Sequence, residues 1–213
     1  MSEIREIRGW IAEERRELAA VLAGLPADAW DAPSLCAGWR VREVVAHMTM
    51  AFRYSVPKVI FGLVRARGSF DRMLDRAARR DTAVLPAEEL TAVLKDNAEH
   101  PWKPPRGGYG AALTHDVVHG LDVTVPLGLD RKVPEARLRL VLSGLATEKG
   151  LKWFGVDLDG VQLRADDIDW SYGSGEPVTG AAQDLAVLLC GRRLPAGHLT
   201  GAPAARFTRE ATG

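Results

Sequence analysis

Two histidines stand four residues apart in the run THDVVHGLD, His115 and His119, and a third, His47, lies far upstream in EVVAHM. A four-residue step on a helix sets both imidazoles on one face, about 6 Å apart, a spacing that can chelate one divalent ion. A third ligand must then come from another element. His47 is the best-placed candidate, because it falls among Val44, Val45, Ala46 and Met48 on a stretch that a helical bundle can bury. Neutral imidazole serves zinc, nickel, iron and copper, and three protein ligands leave positions for water or substrate. Zinc is the expected ion, with nickel or iron compatible with the same donors.

By itself an i,i+4 pair is a weak signal, since most such histidines are core-edge residues with ordinary hydrogen-bond partners. The surroundings strengthen it. Ala111, Ala112, Leu113, Val117, Val118, Leu121 and Val123 flank the pair, so the imidazoles lie near a packed interface and need polar partners there. Asp116 and Asp122 are the nearby carboxylates. Asp122, three residues beyond His119, can orient that ring or ligate in its own right. His100 and His198 lie in segments bounded by Pro and Gly and are read as bland. Cys36 has no basic neighbour of obvious geometry and reads as a small buried residue; Cys190 ends the apolar run LAVLLC and reads as packing. No phosphate loop, GxGxxG or HExxH motif is present.

The elements that must position these residues are mostly helices. Ile4, Ile7, Ile11, Leu18, Val21, Leu22 and Leu25 stripe a first helix over 3–24, ended by Pro26. A Gly- and Pro-bearing connector follows, bracketed by Trp30 and Trp39, which are expected to hold it against the bundle. A second helix covers about 40–54 and is interrupted or ended by Pro57. Others are predicted over 70–80, 86–99, 110–124 and 134–152. The tail alternates polar and apolar residues and is rich in Gly. It predicts two short strands and a turn before a helix over 181–189. The reading is a mainly α protein: a helical bundle over 1–155, with a small mixed α/β segment over 156–213 as a C-terminal cap.

Charge narrows the class of partner. Lys plus Arg and Asp plus Glu number 28 each in 213 residues, so no basic footprint for nucleic acid is expected. Arg131–Lys132 and Arg192–Arg193 are too short to form one. No apolar run is long enough to span a bilayer, and MSEIREIRGW has no signal core. The expectation is a cytoplasmic protein with neither nucleic acid nor membrane as partner.

The stretch WDAPSLCAGWRVREVVAHM resembles the signature of the mycothiol-dependent maleylpyruvate isomerase family, within the DinB-like helical bundle superfamily. GAALTHDVVHGLDVTVPLG and IDWSYGSGEPVTGAAQDLAVLLCGR are similar to the same family, so the resemblance runs through nearly the whole chain. It implies a four-helix bundle with a divalent metal near one end. It also implies metal ligands in the form of a histidine on the second helix and a glutamate and histidine four residues apart on a later one. His47 matches the first and His119 the last, while His115 stands in place of the glutamate. Arg40 stands where the family has Thr or Ser at the start of the second helix, so that helix must be capped from elsewhere. The resemblance also implies a larger C-terminal domain in the isomerase than the tail seen here.

Its functional implication is a metal-dependent enzyme that uses a low-molecular-weight thiol, mycothiol of actinobacteria, and adds or transfers it to a small electrophile. The expected partners are the thiol and that electrophile. Three other readings stay open: maleylpyruvate isomerase itself, a hydrolase using metal-bound water, and a metal-binding stress-response protein without turnover.

Overall fold

The computed structural model describes residues 2–209, and the last four residues of the predicted cap lie outside them. The protein is mainly helical, with one small sheet. Nine α-helices among the described residues are α1 (Ser2–Ala23), α2 (Val41–Arg53), α3 (Val56–Arg65), α4 (Phe70–Thr82), α5 (Ala87–Asp96), α6 (Gly108–Thr124), α7 (Glu135–Leu145), α8 (Glu148–Phe154) and α9 (Ala182–Leu189). The strands are β1 (Val161–Ala165), β2 (Ser171–Gly173), β3 (Glu176–Gly180) and β4 (Leu199–Thr200). The chain divides into two compact units, Met1–Ala112 and Leu113–Gly213.

In the first unit α1 packs on α5, and α2 packs on both α4 and α5. Of the stripe predicted on α1, Ile11, Leu18 and Leu22 are buried, whereas Ile4 is exposed; Val41, Val44, Val45 and Met48 of α2 are buried as well. Removing such stripes from water supplies most of a helix's stability in a fold of this size. One cation is buried with them. The Arg15 guanidinium donates to the carbonyl oxygens of Asn97, Ala98 and His100 at 3.3, 3.2 and 2.9 Å. It thereby satisfies backbone acceptors just past the end of α5, where a helix leaves carbonyls without intrahelical donors. The start of α2 is capped as its sequence requires. The Glu43 carboxylate accepts the Arg40 backbone N–H at 2.9 Å and the Arg40 guanidinium at 2.6 and 3.0 Å, which is half of a capping box. Burial pushes the Glu43 carboxyl up, but the hydrogen bonds from Arg40 and Thr82 outweigh it and hold the group below its usual range.

The tryptophans hold the connector as expected. Trp30 is buried, and the Trp39 indole N–H donates to Asp75 on α4 at 2.9 Å. Pro57 behaves differently. It occupies the first turn of α3, where a missing N–H costs nothing and the fixed φ favours a helix. A proline read as a stop is here a start.

In the second unit the sheet order is β2-β1-β3-β4, with β1 antiparallel to β2 and parallel to β3. Four strands therefore replace the two expected. β2 and β4 are only 3 and 2 residues long, too short for alternation to register. α9 packs on α7 and β1, and Leu185, Leu188 and Leu189 of α9 and Val161 and Leu163 of β1 are all buried. The single helix predicted over 134–152 is two. α7 ends at Leu145, and Thr147 caps α8 by accepting the Gly150 N–H at 3.0 Å. Position 150 must be glycine here, since a Cβ would stand 2.3 Å from the Leu145 carbonyl oxygen.

Candidate metal centre

His115 and His119 project from α6, where Ala112, Leu113, Val117, Val118 and Leu121 are buried; burial of this apolar surface holds the helix despite the low helix propensity of its Gly, Thr, Asp and Val residues. The i,i+4 spacing brings the two rings edge to face, with centroids 4.6 Å apart and planes at 80°. Each ring is braced by a carboxylate at the same nitrogen. His115 Nδ1 lies 2.8 Å from Asp116 Oδ1, and His119 Nδ1 lies 2.9 Å from Asp122 Oδ2. Such a contact favours the tautomer with the proton on Nδ1, so the lone pair sits on Nε2, the arrangement that presents an imidazole to a metal.

The bracing continues outward. Arg192, just beyond α9, donates to both oxygens of Asp122, from Nε at 3.0 Å and from a terminal nitrogen at 2.9 Å. Asp122 is fully buried and Asp116 nearly so. Burial would push the Asp122 carboxyl up, but hydrogen bonds from His119 and Arg192 and the guanidinium charge hold it well below the usual carboxylate range. His119 is pushed down, chiefly by burial and further by His115 and Arg192, against the opposing pull of Asp122. The result is a neutral imidazole beside a fixed anion, which is the state a metal ligand must have. In the sequence Arg192 shows only as half of an Arg-Arg pair too short for a basic patch, and such a pair says nothing about partners. The 70 residues that separate it from Asp122 leave no spacing signal.

His47 occupies the first unit, on α2 between buried Ala46 and Met48. Its ring lies against Trp39, centroids 5.3 Å apart. The two histidines read as bland have structural partners. His100 Nδ1 accepts the Trp102 N–H at 3.2 Å, and its ring packs 5.2 Å from Phe52. His198 Nδ1 lies 3.0 Å from Asp184 Oδ2, tying the residue before β4 to the first turn of α9. Of the cysteines, Cys190 is buried as expected, whereas Cys36 is only half buried. Its connector is closed by Ser34, whose hydroxyl accepts the Cys36 N–H at 3.1 Å, and this turn leaves the side chain at the edge of the core.

Burial pushes the Cys190 thiol up to about 12, helped slightly by Asp122 and opposed by Arg192. Thiolate is the reactive form, so Cys190 is expected to resist iodoacetamide at neutral pH in the folded protein and to react fully in denaturant. Peptide mapping by mass spectrometry checks this. Modification of Cys190 under native conditions at the rate of a free thiol would contradict the burial.

The mainly helical architecture with one small sheet is that of a DinB-like helical-bundle protein. The model of the mycothiol maleylpyruvate isomerase N-terminal domain matches residues 11–122, more than half of the chain, and the protein belongs to that family. The match contains His47, His115, His119, Asp116 and Asp122; Arg192 lies beyond it. Two relatives are uncharacterised proteins of Mycobacterium tuberculosis, from strains CDC 1551 and H37Rv. Each is 28% identical over 84% of this chain and 82% of its own length. Among solved structures, a mycothiol-dependent maleylpyruvate isomerase superposes with a TM-score of 0.55 at 13% identity, covering 94% of this chain and 93% of that one. A histidine-to-alanine mutant of the enzyme gives 0.53 over the same coverage. At that identity the likeness is one of fold. The coverage corrects the expectation of a larger C-terminal domain in the isomerase, because the two chains align almost end to end.

Proposed function

We propose that His47, His115 and His119 hold one divalent metal ion, zinc by preference, and that the protein is a thiol-dependent isomerase of small electron-poor alkenes, with mycothiol as the thiol. The observation that carries the reading is the pair on α6, two imidazoles braced at Nδ1 by buried carboxylates. The donor set fits a borderline ion, and neutral nitrogen ligands leave the ion's positive charge undiminished for an anionic thiolate. Family membership supports the thiol, and the solved isomerase's name supports the class of reaction.

When bound, the ion supplies a Lewis acid that makes a coordinated thiol a thiolate near neutral pH. The chain's own residues do the rest. Asp116 and Asp122 fix the ring orientations of His115 and His119, and Arg192 fixes Asp122. In the reaction, the thiolate sulfur adds to one alkene carbon and the π electron pair moves onto a conjugated carbonyl. Rotation follows about what is now a single bond. Reversal then expels the same thiolate and restores the double bond, so thiol and substrate atoms balance with no net consumption. No protein nucleophile is required. The broader division into a DinB-like domain over 1–155 and a C-terminal segment over 156–213 belongs to this proposal as well.

A second reading keeps the same first step. If the adduct is released before elimination, the protein is a thiol transferase. The two are separated by incubating metal-loaded protein with mycothiol and a cis-enedioate or acylacrylate, and following the products. Isomerised alkene with undiminished thiol is the expected result. Stoichiometric thiol loss points to transfer. No acceleration over apo-protein for any electrophile overturns both and leaves the hydrolase and stress-response readings.

A further inference from the structure

The helix α3 buries none of its residues. Its inner face, Val59, Gly62 and Leu63, turns toward α4, where a Cβ at Gly62 would meet the Met73 side chain at 3.0 Å. The opposite face is apolar and faces solvent. Val56, Ile60, Phe61 and Val64 are 71, 57, 61 and 70% exposed, and Phe70 beyond the helix is 57% exposed. An exposed stripe of four large apolar residues on one helix is more than the scattered leucine of an ordinary surface.

The charges on α3 itself and the turn after it are all of one sign, Lys58, Arg65 and Arg67, and the sequence has no acidic residue between Glu43 and Asp71 in a chain whose totals balance. Arg53, the fourth cation of that stretch, is already paired with Asp81 of α4 at 2.7 Å. Lys58 and Arg65, seven residues apart, run along the edge of the apolar face. Lys58 Nζ lies 3.7 Å from the centre of the Tyr54 ring, and the Arg65 guanidinium lies 5.7 Å from that of Phe61. Arg67 adopts φ 54° at the end of the helix, a left-handed position that costs a non-glycine residue roughly 1 kcal/mol or more. An apolar face with cations along its border is the pattern of a helix that lies in a bilayer interface with its charges among anionic headgroups.

We infer that α3 and the turn after it dock the protein on an anionic lipid surface, with Ile60, Phe61 and Val64 entering the acyl boundary and Lys58, Arg65 and Arg67 meeting lipid phosphates. The absence of a spanning segment does not oppose this. No helix among the described residues is long and apolar enough to cross a membrane, and an interfacial helix crosses nothing. A second copy is the competing occupant. A two-fold contact through this face would bring Lys58, Arg65 and Arg67 of one copy beside the same three cations of the other, with no carboxylate from 44 to 70 to neutralise them.

The test is co-sedimentation of the full chain with vesicles of phosphatidylcholine alone and of phosphatidylcholine mixed with phosphatidylglycerol. Partition should be at least about tenfold stronger on the anionic vesicles and should fall in high salt. The exposed-site variants Ile60→Ser and Phe61→Ser should each lose about tenfold in partition while melting at the wild-type temperature. Failure to partition on either vesicle overturns the inference. So does partition that survives combining Ile60→Ser with Phe61→Ser. A concentration-dependent dimer that Phe61→Ser abolishes, without vesicle binding, overturns it in favour of the second copy.

Discussion

Replacing Arg192 with methionine is expected to destabilise the protein by about 3 kcal/mol or more, a fall in Tm of roughly 10 °C for a chain of this size. The reason is the state in which it leaves Asp122. That carboxylate is fully buried and takes two hydrogen bonds from Arg192. Without them the buried charge loses its guanidinium counter-ion, and the burial penalty is no longer offset. Arg192→Lys keeps the charge but not the two-pronged geometry, so its loss should be smaller. Adding Asp122→Asn to the methionine variant should recover part of the loss, because the uncompensated charge is gone.

The effect carries a pH signature. The folded-state carboxyl of Asp122 titrates below its unfolded value of about 3.9. Its contribution is therefore present above that unfolded value and lost as pH falls toward the folded one. The gap between wild type and Arg192→Met should be full at neutral pH and narrow through the acid range. Urea unfolding at a series of pH values reads it. Equal stabilities of wild type and variant at neutral pH would show that the guanidinium is not what holds Asp122.

Replacing His119 with alanine is expected to remove about one equivalent of divalent metal from protein purified without a histidine tag, and His115→Ala should do the same. An ion that binds the folded chain alone stabilises it by RT ln(1 + [L]/Kd), about 2.7 kcal/mol at a hundredfold excess over Kd. Chelation should therefore lower the Tm of wild type and leave that of His119→Ala unmoved. Asp122→Asn keeps every proposed ligand but loosens the His119 ring, and a loss of 10- to 100-fold in metal affinity is the usual scale for such a change. Elemental analysis of the three variants decides the matter. Unchanged metal content in both histidine variants would end the metal-centre proposal.

Much of this was legible from residue order alone, and the reason is local. The α1 and α2 stripes repeat at helical spacing, so their buried faces follow from period. The His115–His119 pair is a four-residue step, and a helix converts that step into adjacent rings whatever surrounds it. Asp122 follows His119 by three residues, so the carboxylate that braces the ring was also within reach of sequence spacing.

Tertiary structure decided the rest, since periodicity reports which face is buried and never against what. The parallel β1–β3 pairing, with β2 and β4 at the edges, comes from contacts no alternation encodes. The break between α7 and α8 turns on the Leu145 carbonyl approaching Gly150. Pro57 could end one helix or begin the next, and only the chain path after Tyr54 chose. No helix was expected over 56–65, because its apolar residues are the ones left in water and the proline in its first turn reads as a stop. The Arg192–Asp122 clamp closes 70 residues of chain, and a contact of that range is made by packing, because no short-range preference reaches across it.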